Sequence, residues 1–190
     1  MENFNIIMTG VGGQGIITLV SILDEACLVQ GYDVKSSELH GLSQRGGSVI
    51  THIRFGKKIN SPLVAKGEAD LIIGLELVET LRDSDFAGPE TKFLVNDYSM
   101  GFPGYPAKQE ILEGFNKIAK DRVSLVSAAE ICKKELGKEV VAGVYLLGYA
   151  VKNNLLPLKK ESFEAALKNV IPQKFLDLNI NAVKLAFNHD

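Results

Sequence analysis

The chain has 190 residues, is 46% hydrophobic and 23% charged, and carries a formal net charge of −2. That balance suits a globular fold with a full-sized core and argues against a nucleic-acid face or a polybasic membrane patch. No apolar run approaches the roughly 20 residues that span a bilayer, and Met1-Glu2-Asn3 lacks the basic start of a signal peptide, so a cytoplasmic protein is expected.

In chain order, Phe4 to Met8 reads as a strand, Gly10 to Gly15 as a glycine-rich turn and Ile16 to Leu23 as the start of a helix. Ile16, Val20, Leu23 and Cys27 fall on one helical stripe, which predicts a buried, structural Cys27. The two cysteines, Cys27 and Cys132, lie far apart and form no C-x-x-C pair, which argues against a disulfide framework, a zinc site or an iron–sulfur cluster held by this chain alone. Gly31 ends the helix, and Asp33 to Ser37 reads as a short second strand. Ser48 to Phe55 alternates as a half-exposed strand, with His52 on its exposed side. Asp70 to Gly74 is a continuous apolar run, the pattern of a buried parallel strand. Leu75 to Arg82 follows as its helix, with Glu76 and Glu79 on a solvated face.

Lys92 to Asn96 and Val123 to Val126 are further strands, and Glu130 to Leu136 is a short helix closed by Gly137. Val140, Val144, Leu147 and Val151 mark one face of the next helix. Gly143 and Gly148 inside it cost about 1 kcal/mol each against alanine, and close packing on a neighbouring backbone would compensate. Glu161 to Val170 and Phe175 to Phe187 complete a helical tail. Strands alternating with helices predict an α/β fold: a doubly wound, mainly parallel, Rossmann-like sheet with a C-terminal helical extension. One domain over residues 1–190 is expected, with an α/β core over 1–137 and a helical tail over 138–190 packed on it.

Ligands of such sheets sit at the carboxyl ends of the strands. Three segments should meet there: the Gly10 turn, the loop after Ser37, and the loop Asp97 to Pro106. Gly10, Gly12 and Gly15 fit G-x-G-x-x-G, which brings backbone close to a phosphate and aims a helix N-terminus at it. Gly13 and Gln14 complete the turn. The second loop, Glu38-Leu39-His40-Gly41-Leu42-Ser43-Gln44-Arg45-Gly46-Gly47-Ser48, is dense in polar groups. Gly46 and Gly47 let successive amides converge on an anion, Arg45 can grip phosphate or carboxylate with two parallel hydrogen bonds, and Ser43 and Gln44 add neutral donors. His40 is expected as a hydrogen-bonded histidine of this loop or one facing a partner subunit, with acid–base chemistry as the sharper alternative. Glu38, 23 residues after Gly15, supports a competing reading, a stand-alone NAD- or FAD-binding protein whose strand-two acid holds a ribose. No catalytic set can be assembled, and no metal ligands are assigned.

Taken together, Gly10-Val-Gly-Gly-Gln-Gly15, Glu38 to Ser48, Ser61-Pro62-Leu63 and Gly67-Glu-Ala-Asp70 resemble the gamma-type subunit of 2-oxoacid:ferredoxin oxidoreductases. The His-Gly-x-x-Gln-Arg-Gly-Gly form of the second loop is most like the small (beta) subunit of the indolepyruvate branch. The likeness is strongest from Ile6 to Leu75, and Leu155-Leu156-Pro157-Leu158 in the tail matches as well. Gly137-Lys138-Glu139 departs from the Gly-Asn-Pro that members often carry before the next helix. The resemblance implies a complex that decarboxylates a 2-oxoacid, here an aryl pyruvate, on thiamine diphosphate. It passes the electrons through 4Fe-4S clusters to ferredoxin and the acyl group to coenzyme A. Thiamine diphosphate, magnesium and the clusters would belong to a larger partner subunit, since this chain has neither cluster cysteines nor a thiamine motif. On this reading Gly10, Gly12, Gly13, Gln14, Gly15, Ser43, Gln44, Arg45, Gly46 and Gly47 would hold an anion. Coenzyme A's phosphates are the first candidate and the oxoacid carboxylate the second. A non-catalytic assembly module, in which the glycine loops only pack on the larger subunit, is the further alternative.

Overall fold

The structure, a computed structural model, describes residues 3–41, 46–101 and 104–188. Its elements are β1 (Phe4–Val11), α1 (Ile16–Val29), β2 (Asp33–His40), β3 (Ser48–Gly56), β4 (Ala69–Gly74), α2 (Leu77–Arg82), β5 (Ala87–Asn96), α3 (Lys108–Ile118), β6 (Val123–Val126), α4 (Ala128–Leu136), α5 (Ala142–Lys152), α6 (Lys160–Val170) and α7 (Gln173–Asn188). Short 3₁₀ turns precede β5, β6 and α5.

Six strands form one sheet in the order β2-β3-β1-β4-β5-β6. β1, β4, β5 and β6 are successively parallel, whereas β3 is antiparallel to both β1 and β2. β2 therefore runs with β1, and β3 alone is reversed. The predicted parallel character holds for the sheet as a whole, but β3 makes it mixed. The reason is chain length: residues 41–47 are too few for a parallel crossover, which needs about a dozen. β2 and β3 pair as a hairpin instead, from Asp33 opposite Gly56 to His40 opposite Val49. β2 is thus three residues longer than its predicted end at Ser37.

Alternation along the central strands divides the core. Ile6 and Met8 of β1 and Leu71 and Ile73 of β4 face α1, α4, α5, α6 and α7. Ile7, Ile72, Phe93 and Val95 face α2 and α3, where Leu77, Ile111 and Phe115 meet them. The predicted stripe of α1 is buried throughout, Cys27 included, and Cys132 of α4 lies in the same cluster. The glycines of α5 have the close neighbours that their cost demands. A Cβ on Gly143 would run into the Leu19 side chain of α1, with Cδ2 at 3.0 Å, and one on Gly148 would stand 3.2 Å from Ala186 Cβ of α7. α3 has no counterpart among the elements expected from sequence, and β5 begins five residues before Lys92, at Ala87. No helix among the described residues is long and apolar enough to cross a membrane.

Candidate functional site

β1 and β4 are neighbours, yet the helices that follow them pack on opposite faces, α1 on one and α2 on the other. The crevice at their carboxyl ends is the switch point at which open α/β sheets bind ligands. The Gly10–Gly15 turn stands over it. Gly13 (φ 102°) and Gly15 (φ 77°) hold left-handed conformations that favour glycine, and among the described residues an added Cβ on either would meet no atom within 4 Å. The described residues leave the space in front of both open. Gly10 is crowded instead: its Cβ would stand 2.5 Å from Gln14 Oε1, which would have to shift, and 3.0 Å from Leu75 Cβ.

Gln14 stitches the crevice. Its Oε1 accepts from Val11 N–H at 2.8 Å, and its Nε2 donates to Leu75 O, beyond β4, at 3.0 Å. Asn96 at the end of β5 donates to the same carbonyl at 3.3 Å. The second glycine loop is locked to the first: Gly12 N–H donates to Gly47 O at 2.8 Å, and Gly46 N–H to Gly12 O at 3.2 Å. The third segment reaches the second, with Met100 Cε 3.6 Å from where a Cβ on Gly46 would stand. The three segments expected at the carboxyl edge are brought together there. Ser43, Gln44 and Arg45 lie outside the described residues.

Two clefts flank the turn. One, of about 800 Å³, is lined by Gly12, Gly13, Gly15, Ile17, His40 and Val49. The other, of about 240 Å³, lies between Gly13, Gln14, Asn96, Tyr98, Val140 and Gly143. His40 sits on the rim of the larger one, its Nε2 3.0 Å from Glu38 Oε2. It ends β2 and is hydrogen-bonded, as expected.

The geometry corrects three readings. Glu38, offered as the ribose-binding acid of a dinucleotide site, lies on an edge strand that β3 separates from β1. In the dinucleotide-binding order strand two pairs strand one directly, so the support for a stand-alone NAD or FAD protein is lost. Glu76 and Glu79 are not solvated: they are 1% and 6% exposed. Glu76 caps α2, accepting from Glu79 N–H at 2.9 Å, from Met100 N–H at 3.4 Å and from Tyr105 Oη–H. Glu79 pairs with Arg82 at 2.8 Å, while its Oε2 is buried without a hydrogen-bond partner. His52 is buried rather than on an open strand face. Its Nδ1 accepts from Val64 N–H at 3.1 Å and its ring stands edge-on to Phe86. The sequence contained one signal for the first acid, an acidic residue two positions after a buried parallel strand.

Burial sets the electrostatics around the turn. It raises Asp83, which accepts from the buried Thr9 hydroxyl of β1, and it raises Asp24 of α1, which accepts from Ser36 Oγ at 2.6 Å. Burial, with Glu76 beside it, pushes Tyr105 up to about 12, so its hydroxyl stays a donor at neutral pH. Burial also raises both thiols, Cys132 to about 11. These are two inert core thiols, unsuited to the four thiolates of a 4Fe-4S cluster. Among the described residues no group of three or more His, Cys, Asp or Glu could hold a metal ion. Gly15, in front of which the described residues leave open space, is the N-cap residue of α1.

Residues 5–189 match the family described as pyruvate ferredoxin/flavodoxin oxidoreductase. The chain is 35% identical to indolepyruvate oxidoreductase subunit IorB of Archaeoglobus fulgidus, over 97% of this chain and 94% of that protein. It is 28% identical to the common gamma subunit of the pyruvate/ketoisovalerate oxidoreductases of Pyrococcus abyssi, over 94% and 92% of the two chains. The fold is shared with the gamma subunit of a keto/oxoacid ferredoxin oxidoreductase from Geobacter sulfurreducens (TM-score 0.71, 23% identity, 97% and 96% covered). It is also shared with 30% of a longer chain, the 2-oxoglutarate:ferredoxin oxidoreductase of Magnetococcus marinus solved with 2-oxoglutarate, coenzyme A and succinyl-CoA (TM-score 0.74, 17% identity, 98% of this chain). A match that runs nearly end to end, in sequence and in fold, places this chain in the pyruvate ferredoxin/flavodoxin oxidoreductase family as a gamma-type subunit.

Proposed function

We propose that this chain is the small subunit of a cytoplasmic 2-oxoacid:ferredoxin oxidoreductase whose substrate is indolepyruvate or another aryl pyruvate. The observation that carries the reading is the 35% identity, over nearly the whole chain, to a protein named as an indolepyruvate oxidoreductase subunit. The relatives are subunits of multi-subunit oxidoreductases, which supports a hetero-oligomer. Thiamine diphosphate, magnesium and 4Fe-4S clusters on a larger partner would supply decarboxylation and electron transfer to ferredoxin. Neither of this chain's cysteines is accessible to a cluster.

The contribution of this chain is a wall of the reaction cleft. Gly13 and Gly15 leave open space for an anionic group, Gln14 and Gly12 fix the turn, and Arg45 would supply the matching charge. Coenzyme A's phosphates are the first candidate for that group and the oxoacid carboxylate the second. Holding the acyl acceptor in this way acts by positioning. An assembly role is the second reading. It is favoured by the exposed apolar side chains at the same edge, Ile17, Leu39, Tyr98, Met100 and Val140.

The test is co-expression with the larger subunit under anaerobic conditions, followed by 2-oxoacid- and coenzyme A-dependent reduction of ferredoxin or a viologen dye. Activity that needs both chains and prefers aryl pyruvates supports the proposal. In that complex Arg45→Ala should raise the coenzyme A KM at least tenfold. Unchanged KM and turnover would exclude the clamp, and failure of the variant to assemble would favour the assembly role.

A further inference from the structure

Glu76 carries a carboxylate that the fold buries. It is 1% exposed, and among the described residues no lysine, arginine or histidine pairs with it. Buried carboxylates are costly unless paired or fully hydrogen-bonded, so the donors around this one decide what it can do. The donors that satisfy it come from two elements. Glu79 N–H, 2.9 Å away, belongs to α2. Met100 N–H, at 3.4 Å, and Tyr105 Oη–H belong to the segment that follows β5. The Tyr105 hydroxyl is bonded to Ser99 and to the Val78 backbone as well, so the tyrosine closes against the start of α2.

The residues either side of Glu76 extend the same connection. Leu75 O takes the Gln14 amide of the glycine turn at 3.0 Å and Asn96 at 3.3 Å, while Leu77 N–H donates to Tyr98 O at 3.0 Å. Leu75 to Leu77 is therefore the tripeptide through which the glycine turn, the end of β5 and the Tyr98–Met100 segment are held in register. Met100 in turn stands beside Gly46, 3.6 Å from where a Cβ on that glycine would be, and Gly46 is bonded to Gly12. An ordinary neutral N-cap would satisfy α2, which has only six residues. What the carboxylate adds is its second oxygen, Oε1, which faces the segment after β5 rather than the helix.

We propose that Glu76 is a positioning residue for the carboxyl-edge site: its Oε1 fixes the Tyr98–Met100 segment, with Tyr105, against the glycine loops that hold the anionic ligand. The inference rests on the oxidoreductase reading above, and its test separates the two.

Glu76→Gln keeps one acceptor oxygen for α2, and Tyr105→Phe removes only the hydroxyl. Both should be prepared in the assembled complex and measured in two ways. Amide exchange at Met100 should rise at least tenfold in both variants, with protection of β1 and β4 unchanged. The KM for coenzyme A, or for the oxoacid if that is the group held, should rise at least fivefold while kcat stays within twofold of wild type. Exchange at Met100 unchanged in both variants overturns the proposal whatever the enzyme does. So does faster exchange with an unaltered KM, because the segment is then held but takes no part in the site. If the wild-type complex shows no 2-oxoacid-dependent reduction of ferredoxin, the oxidoreductase reading fails instead, and the exchange result still decides whether Glu76 holds the segment.

Discussion

Gln14 carries a prediction that the geometry makes quantitative. Its side chain makes two hydrogen bonds, one to Val11 N–H at 2.8 Å within the turn and one to Leu75 O at 3.0 Å across the crevice. At about 1 kcal/mol each, Gln14→Ala should lower the unfolding free energy by about 2 kcal/mol. For a chain of this length that is a fall in Tm of about 4–8 °C. Gln14→Glu is the sharper variant. It keeps an acceptor for Val11 but turns a carboxylate oxygen toward the Leu75 carbonyl, where only a donor fits. At pH 8 it should be at least as damaging as alanine.

The acid form can donate, so the folded state would bind the proton more tightly than the unfolded chain. The folded pKa of the introduced glutamate is thereby raised above its unfolded value of about 4.3. The stabilising interaction is fully present below that unfolded value and is lost as pH rises through the folded one. The deficit of Gln14→Glu against wild type should therefore shrink as pH falls from 8 toward about 4.5, read from urea midpoints. A Gln14→Glu protein as stable as wild type at pH 8, or a deficit independent of pH, would refute the assignment of the Leu75 bond.

Two further outcomes follow from the core. Gly143→Ala gains about 1 kcal/mol of helix propensity but makes the buried Leu19 side chain shift, and overpacking of about 1–3 kcal/mol should prevail. The variant should unfold at lower denaturant than wild type, and a net stabilisation would show that Leu19 has room to move. Burial lowers His52, so below its unfolded pKa of about 6.5 the unfolded chain binds a proton that the folded one resists. Stability should thus fall from about pH 6.5 downward, and His52→Asn, which keeps an acceptor for Val64 N–H, should show a smaller loss between pH 7 and 5 in urea titrations.

What could be read from the chain, and what could not, divides by the range of the interaction. The strand–turn–helix at Gly10–Gly15 was legible because its glycines answer local demands: two left-handed residues, and one with no room for a Cβ beside Gln14. The buried face of α1 was legible for the same reason, since helical spacing alone selects it. Strand order was not. A strand-two acid after a glycine fingerprint looks like a dinucleotide site until β3 folds back between β1 and β2. α3 carries only two buried side chains in eleven residues, Ile111 and Phe115, too few to stand out as a stripe.

The acids were misread through the same limit. In sequence, Glu76 and Glu79 open a short helix, and apart from the buried strand that precedes Glu76 nothing nearby marks them as buried. Their burial depends on a chain segment that returns much later, and Tyr105, which closes over Glu76, lies 29 residues further on. His52 likewise alternates correctly along β3, and it is buried because Val64 and Phe86 cover that face from outside the strand. The consequence reaches function. A glycine turn is recognisable from its own residues, but a turn becomes a site only when other segments hold it in register. At this sheet edge those holding contacts run through Gln14, Leu75, Glu76 and Gly47, each bonded to a residue at least two elements away or across a loop. Substitutions at these positions should therefore alter the working edge while leaving the strands beneath it intact.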